Sequence, residues 1–443
     1  MYARYSTYTK KTVAVGSVAA LMLSLAACSG DDQTDETSSQ TTTSGAMSTE
    51  NADGMGDMHS GDHQPTGDIT PMSTGDPFAD AMTAAAHMPM TGQTLADGIV
   101  AAADIDGDPD SDAATLHADL ASNLQEHVYL AGMAVATAYT EGADSDAFSA
   151  ASDALDANAV ALADMVATID PSQRDAVLEL WRDHVGYFVD YATAAKDGDD
   201  AAKAAAQDDL TQYTMDAGEA FSGLSQGVID AGAATEGLQH HVDSLSQAID
   251  ALAADDTSAY GDLHAAASHG GDFIATLASG LAEGNDVAGD ATDDAATLRV
   301  TLATGLQEHV YLAGLAVFTA YTSEGGTESE AFQAAADTLD HNSVALSEAV
   351  GSVAGDEKGA EFLELWREHI GYFVDYANAL ASDDSAAADE ALQNLDGYRP
   401  RAGEFFADIT GGELDADELA DGLAQHISTL AGTIKSLKDA LVN

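Results

Sequence analysis

The string LQEHVYLAG stands at Leu124–Gly132 and returns unchanged at Leu306–Gly314. The match runs well past it on both sides. DAATLHADLASNLQEHVYLAGMAVATAYTEG returns as DAATLRVTLATGLQEHVYLAGLAVFTAYTSEG, shifted by 182 residues. LELWRDHVGYFVDYATA returns as LELWREHIGYFVDYANA, and GLQHHVDSLSQAIDAL more loosely as GLAQHISTLAGTIKSL, both shifted by 185. FADAMTAAAHMPMTGQTLADGI is matched by YGDLHAAASHGGDFIATLASGL at a shift of 182. Such a chain is two copies of one unit, and each copy is long enough to bury its own core.

The unit is helical. Apolar residues recur at three- and four-residue spacing through alanine-rich segments, with no sustained alternation and no β-branched clusters. Breaks at TEGADSD, IDPSQ, KDGDD and ATEG divide the first copy into helices near 78–103, 111–140, 144–168, 171–196, 198–229 and 235–253. Between the copies the second and fourth helices barely differ, whereas the third and fifth have drifted most. The expected fold is all-α: two tandem six-helix antiparallel bundles, at 76–255 and 256–443, with short connections.

Upstream of the bundles the composition changes. Arg4, Lys10 and Lys11 precede the apolar run TVAVGSVAALMLSLAAC. That run is shorter than the roughly 20 residues of a membrane span, and a basic start with small residues at its end describes a secretory signal over residues 1–27. LAAC, ending at Cys28, resembles the lipobox of bacterial lipoproteins, which implies cleavage before Cys28 and a lipid on its sulfur. Cys28 is the only cysteine, so neither an intramolecular disulfide nor a thiolate metal cluster can form. Residues 28–75 are mostly Ser, Thr, Gly, Asp and Met, the composition of a disordered acidic tether. The expected location is extracytoplasmic, on the outer face of the cytoplasmic membrane.

With 76 acidic and 14 basic residues the formal net charge is −62. Such a surface repels nucleic acid and anionic lipid, so nucleic acid is not expected as a partner and anionic lipid is a poor one. Its self-repulsion opposes the compact state at low ionic strength. At about 1 M salt the Debye length is about 3 Å and the repulsion is screened, which suits a saline exterior.

Eight of the fourteen histidines form matched pairs: His87 with His269, His127 with His309, His184 with His369, and His241 with His426. Each copy thus keeps one histidine on each of four helices. Val177, Trp181, His184, Val185 and Phe188 follow the rhythm of a buried stripe. His127 lies between Leu120, Leu124 and Ala131, and His241 between Leu238 and Leu245. His87 precedes Pro89, where the helix should kink or end. Histidines projected inward from facing helices are how bundles build metal sites. Imidazole suits zinc, copper, iron and nickel, and copper or zinc are the expected ions. The alternative is a set of core histidines hydrogen-bonded to carbonyls, carboxylates or tyrosines such as Tyr187, Tyr191, Tyr372 and Tyr376. Glu126 and Glu308 are expected to orient the rings. Arg182 and Arg367 are expected to pair with Glu179 or Asp183 and with Glu364 or Glu368. Met–His combinations, GMGDMHSGDH in the tether and HMPM at His87, point toward copper.

The signatures at Leu124–His127, Leu180–Val185, His241–Leu245 and His87–Leu95 resemble a family of exported tandem-repeat helical proteins of Gram-positive bacteria, often labelled "copper amine oxidase". The resemblance covers most of residues 76–443 and implies the tandem helical architecture, with slight support for copper. The second copy departs from it at His269, where HGGDFIATL replaces HMPMTGQTL. The label does not carry over as chemistry. Amine oxidases of that name build their cofactor from a tyrosine in an Asn-Tyr-Asp/Glu context, and the chain has no Asn-Tyr dipeptide.

Three functions stay open at this point: a surface-anchored lipoprotein binding a transition metal, a non-catalytic interaction or structural protein, and a hemerythrin-like or haem-binding redox protein. No Ser-His-Asp, Walker or Rossmann signature points to another enzyme, and the reading leans away from catalysis. The lipobox makes one direct prediction. Cys28→Ser should abolish processing or membrane retention, read by fractionation; a variant that stays with the membranes as the parent does would refute lipidation.

Overall fold

The computed structural model describes residues 69–268 and 271–442. Among them it is all-helical, with fourteen α-helices, one 3₁₀ turn at Gly326–Glu328 and no strand. None of these helices is long and apolar enough to cross a membrane. The signal segment, Cys28, the tether up to residue 68 and His269 lie outside the described residues.

The expected first helix is broken. α1 (Pro77–Ala86) and α2 (Met88–Ala103) meet at His87. Pro89 occupies the first turn of α2, where its missing N–H costs nothing. Next come α3 (Asp112–Thr140), α4 (Asp146–Ile169), α5 (Arg174–Asp197), α6 (Asp200–Leu224) and α7 (Ala231–Ala253). The second copy repeats them as α8 (Ser258–Ser268), α9 (Gly271–Gly284), α10 (Asp294–Thr322), α11 (Glu330–Ala354), α12 (Asp356–Ala381), α13 (Ser385–Ile409) and α14 (Ala416–Leu441). The acid- and serine-rich breaks supply the caps. Ser111, Ser145 and Ser329, with Asp230 and Asp293, each accept a first-turn N–H of the helix that follows.

The helices do not sort by copy. α1 packs on α14 and α2 lies along α10, so the N-terminal pair sits on the second half of the chain. α8 packs on α7 and α3, and α9 on α3. Residues 112–284 therefore build one bundle from continuous chain, whereas α10–α14 build another that α1 and α2 complete. This corrects the expectation of separate bundles divided at residue 255.

The physical reason lies in the loops before α3 and α10, which are exchanged. Ala113 donates its N–H to the Ala288 carbonyl at 2.9 Å, and Ala295 donates to that of Asp106 at 3.1 Å. Each long helix thus begins on the loop belonging to the other. His117 extends the exchange, with Nδ1 2.6 Å from the Ala291 carbonyl. At the matching place Arg299 donates to the Pro109 carbonyl at 2.5 Å and to Thr115 at 3.0 Å. Histidine and arginine differ there, but both satisfy the same buried carbonyl of the crossing loop.

The end of the tether is also held. Met72 donates its N–H to the Ser428 carbonyl on α14 at 2.8 Å, and Asp80 accepts both the N–H of Thr74 and the hydroxyl of Ser436. The expected boundary at residue 75 thus falls too late, because residues 69–76 run along α14.

Close approach of α2 to α10 depends on Gly92, where a Cβ would stand 2.6 Å from the Ala303 backbone. Backbone cannot rotate away as a side chain can, so Gly92→Ala should destabilise by about 1–3 kcal/mol in urea unfolding. Gly186 and Gly371 also sit in helices but face open space. Alanine at either should instead stabilise by up to about 1 kcal/mol. Equal effects at all three positions would remove the packing argument.

Candidate metal centre

The paired histidines gather at two places. In the first bundle His127 from α3, His184 from α5 and His241 from α7 meet, with Nε2 of His127 and of His184 3.3 Å apart and the His127 and His241 ring centres at 6.3 Å. In the second, His309 from α10 and His369 from α12 also bring Nε2 atoms to 3.3 Å. His426 from α14 completes this cluster, its ring centre 5.9 Å from His309 and 6.3 Å from His369. Nitrogens of His309, His369 and His426 all lie within 4.8 Å of one another, close enough that the trio could hold a metal ion.

His87 does not join the histidines of its own copy. It stands beside His426, ring centres 6.2 Å apart, because α1 and α2 belong to the second bundle. The module assignment expected from the repeat is corrected accordingly.

Aromatic rings wall both clusters. Trp181 lies 4.8 Å from His127 and 4.7 Å from His184, and Tyr213 stacks on His184 at 4.5 Å. Trp366 and Tyr398 hold the same places around His309 and His369, at 4.8, 4.4 and 4.8 Å. Phe188 and Phe373 close the side toward His241 and His426. The tyrosines against the rings thus come from the fifth helix of each copy. Tyr191 instead donates to Asp250, and Tyr372 to Glu368. Tyr213 and Tyr398 match at the 185-residue shift, but they lie in a helix whose drift between copies hid them.

Burial and crowding keep these imidazoles neutral. Burial pushes His184 and His369 down to about 3 and His241 to about 4. It drives His127, His309 and His426 well below the ordinary histidine value, with neighbouring histidines adding to the effect. His87 is lowered by burial too, partly offset by the Thr83 carbonyl.

Several ring nitrogens are buried without a partner: Nδ1 of His127, His184, His241, His309 and His369, Nε2 of His87, and both nitrogens of His426. An unsatisfied buried polar atom costs about 1–3 kcal/mol. Nδ1 of His184 lies near the Leu180 and Trp181 carbonyls without reaching good hydrogen-bond geometry. An imidazole held that way presents Nε2 to the cluster.

The glutamates next to the cluster histidines face elsewhere. Tyr311 donates to Glu126 at 2.5 Å and Asn158 donates to it at 2.9 Å. Tyr129 donates to Glu308 at 2.7 Å and Asn342 at 2.9 Å. The two tyrosine rings stack, 5.6 Å apart. Neither glutamate orients a cluster imidazole, because one residue of helical rotation turns it from its own bundle toward the other long helix. The arginine pairings differ from expectation as well. Arg182 makes a two-pronged bond with Asp156 at 2.6 and 2.8 Å, and Arg367 makes the same bond with Asp340 at 2.6 and 2.7 Å. Met90 is 64% exposed, so the HMPM motif does not bring that thioether to the cluster.

Comparison with family models, curated proteins and solved structures returns no match.

The lowered histidine values set the acid limit of the apo-protein. Unfolded histidines bind protons near 6.5 and the buried ones only near 3–4, so the unfolded state holds more protons in between. Stability should therefore fall as pH drops from about 6.5 toward 4, by up to about 1.4 kcal/mol per pH unit for each histidine involved. Competition between protons and a metal at the folded site also starts lower than the free-histidine value of about 6.5. Chemical denaturation of metal-free protein across this range checks the slope. A midpoint that does not move would contradict neutral burial.

Proposed function

We propose that the protein binds a transition-metal ion in each bundle through inward histidines, with copper favoured and zinc the alternative. The observation carrying this reading is the 3.3 Å separation of Nε2 atoms, present in both clusters. Two nitrogens on one tetrahedral ion, at 2.0–2.1 Å each, stand about 3.3–3.4 Å apart. A hydrogen bond of that length would also fit one shared proton. That proton would still leave Nε2 of His87 and of His426 unsatisfied in the second bundle. An ion uses the lone pairs that face the cluster centre.

The donor set narrows the ion. Neutral imidazoles without thiolate or cluster-facing carboxylate suit copper, zinc and nickel. Copper stands highest in the affinity order for such donors, and the motif resemblance leans the same way. A carboxylate-bridged di-iron centre is disfavoured, since Glu126 and Glu308 are turned toward the opposite helix. With a lipid on Cys28, the metal-binding body would hold or buffer the ion at the outer face of the cytoplasmic membrane. The runner-up is a structural or interaction protein whose histidines serve packing alone. Its support is the close aromatic packing around each cluster.

Elemental analysis of tag-free protein equilibrated with Cu(II) or Zn(II) separates the two readings. About one ion per bundle is expected, and His309→Ala with His127→Ala should reduce binding at least about tenfold per site. Protein that folds normally and takes up neither ion would refute metal binding.

A further inference from the structure

We propose that His87 is a further ligand of the second-bundle ion, which thereby clasps the N-terminal helix pair α1–α2 onto the C-terminal bundle. This rests on the metal reading above and adds what the ion does to the fold.

The geometry assigns His87 a ligand's posture. Its Nδ1 lies 3.2 Å from the Thr83 carbonyl one turn back, while Nε2 is buried with no partner. A proton placed on Nδ1 and given to that carbonyl leaves Nε2 as a lone pair, the arrangement in which metal-bound imidazoles are held. Beside it His426 has both ring nitrogens buried and unpartnered. His87 occupies the junction of α1 and α2, yet its side chain makes no cap bond to the start of α2. The chain places a histidine where a residue such as serine or aspartate would satisfy the first N–H groups of α2.

The clasp matters because the two bundles are closed differently. α8 follows α7 through a four-residue turn and stays on the bundle it grew from. α1 and α2 have no such link to their bundle. They reach α10 and α14 by packing, by bonds such as Met72–Ser428, Ser436–Asp80 and Arg299–Gln93, and by the crossing loop at 104–111, while the chain leads on into the other bundle. An ion shared by His87, His309, His369 and His426 would join residues more than 300 positions apart. Closing so long a loop is what a cross-link does most effectively.

Hydrogen exchange on the full chain, stripped of metal and then given Zn(II), tests this. With zinc saturating, opening of residues 77–103 should slow by the factor by which His87 tightens zinc binding, on the order of 10-fold. His87→Ala should keep zinc on the three remaining histidines, read by a competing chelator, and lose the slowing at 77–103. His87→Gln, which can still bond to Thr83 but ligates poorly, should behave as His87→Ala does and guards against a simple packing defect. Zinc that binds the parent without slowing 77–103, or slows it equally in both variants, overturns the clasp and leaves the metal site standing. If the parent binds no zinc and no copper, the metal reading fails and the clasp with it.

Discussion

Glu126 and Glu308 are buried carboxylates, and each accepts a tyrosine hydroxyl from the opposite copy of the repeat beside an asparagine of its own. Tyr311 of the second copy bonds Glu126, Tyr129 of the first bonds Glu308, and the two rings stack between them. A buried carboxylate without such partners would be costly, so neither copy can close its core around α3 or α10 alone. This explains why LQEHVYLAG returns unchanged. Successive residues serve two surfaces: the glutamate and tyrosine face the other long helix, while the histidine between them faces its own bundle. Drift at the glutamate, the histidine or the tyrosine would break one or the other.

The cross-bonds also mark where the copies have parted. Glu308 also bonds His264 on α8 at 3.1 Å, a position that the first copy fills with Met82. Burial pushes Glu126 up, and its bonds to Tyr311 and Asn158 do not offset this. Burial acts on Glu308 in the same sense, but His264, Tyr129 and Asn342 together leave it below the ordinary value. His264 is correspondingly raised, its burial outweighed by Glu308. One junction therefore leans toward a neutral acid and the other toward an ion pair. The same scaffold tolerates both because the tyrosine hydroxyl can donate to either form of the carboxylate.

What the sequence made legible follows from what periodicity records. Helix content, the break at His87 and the inward direction of His127, His184 and His241 all follow from spacing along one helix. Which helix meets which does not. The 182-residue shift says that α1–α2 and α8–α9 are equivalent, but two equivalent pairs can dock on either copy without altering any local pattern. The deciding contacts are main-chain bonds from crossing loops, such as Ala295 to Asp106, and main-chain bonds leave no residue signature. For the same reason spacing places His87 at the margin of a buried stripe without saying which cluster it approaches. Glu126 lies away from the cluster because adjacency to a histidine in sequence is not proximity to its ring. Adjacent residues on a helix are rotated about 100° apart and do not face each other.

The charge of the chain and the neutrality of its clusters belong to one balance. A divalent ion among imidazoles alone keeps its full charge, and burying such a charge is expensive when the ligands offset none of it. Here the surrounding protein carries a formal charge of −62, with Asp and Glu spread over both copies. Summed over the surface, such a field draws cations toward the interior and stabilises one held there. Neutral imidazoles in a strongly anionic shell would favour a cation over any anionic guest. They also spare the clusters the mutual repulsion that buried carboxylate ligands would add in the metal-free state. If the proposed ion binds, the cluster imidazoles and the acidic surface act on it in the same direction.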